Sequence, residues 1–120
     1  MSVRRNITLA VFAILLLSAC ADRPPPIARG GPRAVAEVAP WLDTRVKQRF
    51  PVGSEEEKLR AELYLEGFTI GEASGPAARY RFAARYQANE LICRAWWNIQ
   101  WSAEQGRITG IAADWSQTCL

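Results

Sequence analysis

Two runs of strict apolar–polar alternation constrain this chain more than any other feature. Tyr80, Phe82, Ala84 and Tyr86 alternate with Arg79, Arg81, Ala83, Arg85 and Gln87, and Cys93, Ala95, Trp97, Ile99 and Trp101 alternate with Arg94, Trp96, Asn98 and Gln100. A period of two is that of an extended strand with one buried face, and a helix cannot bury such a pattern on one side. The apolar face of each run must therefore lie against a common core. The other face of the first strand is largely guanidinium. Ala103-Glu104-Gln105-Gly106 supplies a turn, and Arg107 to Trp115 returns as a last strand. Ile108 and Ile111 are three residues apart instead of two, which places a bulge at Gly110. Upstream, Phe68 and Ile70 share one side of a short strand, followed by the turn-rich Ala73-Ser74-Gly75-Pro76.

The residues before Gly67 follow a helical period. Leu42, Val46 and Phe50 fall on one face of a helix from about Pro40 to Arg49, with Pro40 in the first turn and Pro51 as the stop. Ser54-Glu55-Glu56-Glu57 reads as a capping box opening a second helix, in which Leu59 and Leu63 face the core and Gly67 marks the end. The acidic triplet is a helix start and not a ligand site, because consecutive helical side chains diverge. The predicted class is α+β, with two N-terminal helices packed on a three- or four-stranded antiparallel sheet. The segment 40–120, about 80 residues, is one small domain near the lower limit for a single unaided core.

At the amino terminus, Arg4 and Arg5 precede an uncharged, mostly apolar run from Ile7 to Leu17. A bilayer-crossing helix needs about 20 apolar residues, so this shorter run has the form of a cleavable signal peptide. Ser2-Val3-Arg4-Arg5-Asn6-Ile7 lacks the remainder of a twin-arginine export pattern. Leu17-Ser18-Ala19-Cys20 resembles the lipobox of bacterial lipoproteins. That resemblance implies cleavage of residues 1–19, acylation of Cys20 by diacylglyceryl and palmitate-type chains, and anchorage to a membrane facing the periplasm. Several acyl chains hold far more firmly than one. Ala21, in place of Asp, implies transfer to the outer membrane under enteric-type sorting, although other lineages sort differently, so inner and outer membrane both stay open. Residues 20–39, with Pro24-Pro25-Pro26 and Gly30-Gly31-Pro32, read as a lipidated cysteine followed by a Pro-rich linker. Its roughly 25 Å coil span would lift the domain clear of headgroups. A Pro-rich recognition motif is the alternative.

The order of two helices and then strands, with Gly53-Ser54 opening an acidic helix, Leu59 and Leu63 four apart, and a terminal hairpin carrying Gly106-Arg107-Ile108, resembles the BamE (SmpA) family of small outer-membrane lipoproteins. The likeness covers about residues 41 to 115. It implies a non-enzymatic accessory of envelope assembly, with Leu65-Glu66-Gly67-Phe68 standing where that family has Gly-x-Pro. Ser74-Gly75-Pro76-Ala77-Ala78-Arg79-Tyr80 is similar to a stretched form of the Ser-Gly-x-Arg-Tyr motif of periplasmic lipoprotein inhibitors of lysozyme. That likeness implies the alternative function, inhibition of a periplasmic hydrolase.

Composition narrows the chemistry. The sequence contains no His, one cysteine is assigned to lipid and two to each other, so His- or thiolate-based metal sites and cofactors are not expected. Glu90 and Glu104 lie in turns and Asp114 near a strand end, and nothing pairs them for acid–base work, so no enzyme is expected. Without Arg4 and Arg5, thirteen basic residues face twelve acidic ones, which argues against a nucleic-acid partner. Trp97 and Trp101 belong to the core face, whereas Trp96 projects with Arg94 to the other side. Arg79, Arg81, Arg85, Arg94 and Trp96 thus form a candidate patch for an envelope protein or anionic lipid, or else a solvated face with indole covering the Arg stems. Cys93 and Cys119, left even in number in an oxidising compartment, are expected to form a disulfide, with the residues after Trp115 bridging the gap to Cys93. A bridge between two chains through Cys119 is the rival arrangement.

Overall fold

The computed structural model describes residues 23–76 and 78–120. Helix α1 (Val35–Arg49) and helix α2 (Glu56–Leu65) precede four strands, β1 (Thr69–Glu72), β2 (Phe82–Asn89), β3 (Cys93–Glu104) and β4 (Arg107–Cys119). The strands form one antiparallel sheet in the order β1-β2-β3-β4, so each strand pairs with its neighbour in sequence. The fold is α+β, with its helices N-terminal to the sheet.

The alternation translates directly into the core. Ala84, Ala88, Ala95, Trp97, Ile99 and Trp101 are buried on one sheet face, where they meet Leu42, Val46 and Phe50 of the first helical segment and Leu59 and Leu63 of α2. Trp101 is fully buried, and its indole Nε1–H donates to Glu56 Oε2 at 2.8 Å. Arg60 covers this group, its guanidinium carbon 4.5 Å from the Phe82 ring centre and 5.3 Å from that of Trp101. Aromatic faces accept a guanidinium in this way because their quadrupole is negative above the ring.

The expected bulge is present: Ser102 faces Gly110 while Ala103 faces Ile108, leaving Thr109 as the extra residue and allowing both Ile108 and Ile111 to reach the core. The β3–β4 turn is tighter than the four residues expected. Glu104 pairs with Arg107, and Gln105 and Gly106 both have positive φ, 52° and 74°. Two left-handed central residues match the twist of the flanking strands.

Four expectations need correction. Helix α1 begins at Val35, five residues before the proline taken as its start; Pro40 lies inside it. Proline is costly in a helix mainly through its missing N–H and its clash with the preceding turn, and here burial of Leu42 and Val46 outweighs that cost. Second, Ser54-x-x-Glu57 is no capping box, because α2 carries no side-chain cap and the Ser54 hydroxyl donates to Pro51 O instead. The hairpin takes over the capping role. Gly53 N–H donates to Ile108 O (2.8 Å), Ile108 N–H to Ser54 O (2.9 Å) and Glu56 N–H to Gly106 O (2.9 Å).

Third, part of the segment read as a spacer is packed on the domain. Pro25, Ile27 and Ala28 are buried, a single 3-10 turn runs over Pro26–Ala28, and the Tyr86 hydroxyl donates to Arg23 O at 3.1 Å. Gly31 lies so close to the Trp41 ring that a Cβ would come within 2.9 Å of it. Pro-rich composition hid one aliphatic side chain, Ile27, that suffices to pin the segment to the core. Fourth, β4 does not stop at Trp115 but continues paired to Cys119, directly opposite Cys93.

The end of α2 matches expectation. Gly67 adopts φ 97°, its N–H donates to Tyr64 O and that of Phe68 to Leu63 O, with Leu63 and Phe68 both buried. This is a Schellman closure with its hydrophobic contact.

Candidate binding face

The helices cover one side of the sheet and leave the other to solvent. On that open side the register sets residues in rows across the strands. Arg85 of β2 faces Asn98 of β3, which faces Asp114 of β4; one row along, Gln87 faces Trp96, which faces Ser116. Neighbouring strands lie about 4.8 Å apart, so Arg85 and Asp114 flank Asn98 at roughly twice that spacing. Arg85, Trp96, Asn98, Asp114 and Ser116 together line a depression of about 200 Å³. Arg94 stands on the same face beside Trp96, between Asn89 and Thr118.

Asn98 stands out chemically. Its Oδ1 is buried with no hydrogen-bond partner among the described residues, whereas Asp114 Oδ1 accepts from its neighbour's N–H, that of Trp115, at 2.8 Å. The depression is thus lined by a guanidinium, an indole, a carboxylate and an amide. Such a face can bind and orient a polar partner. Among the described residues no group of three or more Asp, Glu or Cys side chains comes together as a metal site would require.

The expected arginine patch divides. Arg85, Arg94 and Trp96 share the open face, but Arg79 and Arg81 precede β2 and are not in the sheet. Their backbone N–H groups are bound by side chains of β3: that of Arg79 donates to Gln100 Oε1 at 3.2 Å and that of Arg81 to Ser102 Oγ at 3.1 Å. The Arg81 guanidinium turns to the Phe82 ring, 5.1 Å from its centre. Arg79 lines a neighbouring groove of about 530 Å³ with Asp43, Lys47 and Tyr80, which shares Asn98 and Asp114 with the depression. Tyr80, assigned to the core side by alternation, lies over Gly110 on the open face, where a Cβ on Gly110 would meet its ring at 2.7 Å. The pattern failed because the chain enters the sheet only at Phe82, so Arg79 to Arg81 have no pleat to alternate on. Asn98 and Asp114 complete the site without having been assigned to it; only the register, not the one-dimensional pattern, brings them beside Arg85.

Cys93 and Cys119 are bonded within the chain, Sγ to Sγ at 2.01 Å, across the outermost pair of β3 and β4. Cys20 lies outside the described residues. No helix among the described residues is long and apolar enough to cross a membrane. No protein-family model, curated protein or solved structure matches this chain.

Proposed function

We propose that this chain is an envelope lipoprotein, anchored through Cys20 to the periplasmic side of the outer membrane, whose domain is a binding or scaffolding module in envelope assembly or maintenance. The observation that carries the binding role is the open sheet face, where Trp96 stands among Arg85, Arg94, Asn98 and Asp114. Trp and Arg are among the residue types most enriched at the energetic centres of protein interfaces. The lipobox, and the likeness in element order to the BamE family, support the setting.

Two measurements test it. Intact mass of the mature protein is expected to show a chain beginning at acylated Cys20, with Cys20→Ala abolishing both cleavage and acylation; a mature chain with any other start refutes the anchor. In-cell cross-linking of the lipoprotein is expected to capture a barrel or assembly protein, and to lose it in a chain carrying Arg85→Gln, Arg94→Gln and Trp96→Ala. Capture of a cell-wall hydrolase would instead favour the inhibitor reading. Unchanged capture by the triple variant returns the face to a solvated surface.

A further inference from the structure

The large apolar side chains left exposed are unevenly placed. Among the described residues they are Val35, Val52, Tyr64, Leu65, Leu91, Ile92 and Leu120. Leu91 and Ile92 form the turn between β2 and β3, and Leu120 N–H donates to Ile92 O at 2.8 Å, so these three stand together at one end of the sheet. Val52 belongs to the opposite end, since its neighbour Gly53 is bound to Ile108 beside the β3–β4 turn.

A turn is ordinarily built from Gly, Asn, Asp, Ser or Pro, because its side chains face water. Leu91 and Leu120 are instead as exposed as in an extended chain, with Ile92 at 62%. They are also held rigidly: Glu90 N–H donates to Cys93 O at 2.8 Å, and the Cys93–Cys119 bond closes the strands directly behind. Aliphatic groups fixed outward on a clamped turn lose little conformational freedom when something covers them. Arg94, exposed and one residue beyond Cys93, places a cation behind them.

The path of the amino-terminal segment says what covers them. Arg23 is bound to the Tyr86 hydroxyl, and Tyr86 lies in the half of β2 leading to this turn, five residues before Leu91. Only Ala21 and Asp22 separate Arg23 from Cys20, a reach of at most about 10 Å even fully extended. A lipid on Cys20 would thus bring the bilayer close to this half of the domain, with no spacer to lift it away. We infer that the Leu91–Ile92 turn, with Leu120, inserts into the membrane surface next to the lipid anchor and fixes the orientation of the domain, with Arg23 and Arg94 at the level of the headgroup phosphates. Aliphatic side chains at the acyl boundary and arginines reaching to phosphates are the arrangement by which monotopic surfaces bind. The strands then rise from the membrane, and the open face with Trp96 is presented sideways to a partner in the same plane.

The inference rests on the proposed acylation of Cys20, and the experiment separates the two. The full chain, matured in cells, is reconstituted into vesicles of phosphatidylethanolamine and phosphatidylglycerol after its mass has been measured, once as such and once carrying Leu91→Trp. The expected result is that the emission added by the new indole is blue-shifted and mostly lost when the lipids carry bromine at the upper acyl positions. Amide exchange at residues 90–92 of the unsubstituted protein is expected to slow in vesicles relative to detergent. An acylated chain whose added emission is unquenched, or whose turn exchanges equally in both media, overturns the inference and leaves the lipoprotein reading standing. A mass without acyl chains overturns both.

Discussion

The two ends of the sheet are finished in opposite ways. At the β3–β4 end, the chain from Gly53 to Glu56 lays its backbone along the hairpin, and three N–H···O bonds between segments some fifty residues apart satisfy both. Arg107 adds a bond from its guanidinium to Gly53 O at 3.3 Å, and Glu56 reaches inward to the Trp101 indole. At the β2–β3 end a single such bond, from Leu120 N–H to Ile92 O, joins the chain after β4 to the turn; the strands are closed by Cys93–Cys119, and the turn displays aliphatic side chains. One end is sealed by polar groups that find each other, the other by a covalent bond behind an apolar surface. A small domain can therefore hold its fold at one end and keep the opposite end free for contact.

If the sealed end depends on the buried indole, Trp101→Ala should be the most damaging change, costing about 3–5 kcal/mol through its cavity and the lost hydrogen bond to Glu56, which keeps Arg60 as its other partner. Urea unfolding of the mature protein measures it, and a loss under about 1 kcal/mol would mean the indole is not central to that end. Replacing Cys93 and Cys119 together with Ser should cost about 3.5 kcal/mol from the loop of 26 residues' separation. The same unfolding curves check it, with little change expected when the wild-type protein is kept from reductant. A variant as stable as the parent would show that strand pairing alone closes this end. The smallest effect concerns the amino-terminal segment: Ile27→Val should cost about 0.5–1.5 kcal/mol, because a methylene leaves a filled core. A residue of a free spacer would cost nothing.

The strands and the bulge were legible because burial on one face of a pleated sheet writes a period of two into the sequence, as Ala95 to Trp101 shows. Ile108 and Ile111 were legible for the same reason, since both had to reach the core. What escaped was set by contacts distant in sequence. Ser54 has the residue type of a cap, but the carbonyl of Gly106, some fifty positions away, claims the N–H of Glu56. Pro24 to Pro26 looked like a spacer because composition does not report that Ile27 finds a hole in the core. In the candidate site, Arg94 and Trp96 were visible through alternation, whereas Asn98 and Asp114 meet Arg85 only through the register. Arg79 and Arg81 precede the sheet, so the alternation around them is not that of a pleat.

The carboxylate of Asp43 has a further consequence. Strand β4 is the long edge of the sheet, and an unpaired edge offers its N–H and C=O groups to any other strand that approaches. Here Ala113 N–H is already taken by Asp43 Oδ1 at 2.9 Å, while Lys47 holds Oδ2 at 2.8 Å. Helix α1 thus acts as a guard rail along that edge, and the opposite edge, β1, is only four residues long. Copies held in one plane by the proposed anchor would meet at high local concentration, the condition under which open sheets knit into fibrils, and this chain presents them with one margin interrupted at Ala113 and one too short to propagate.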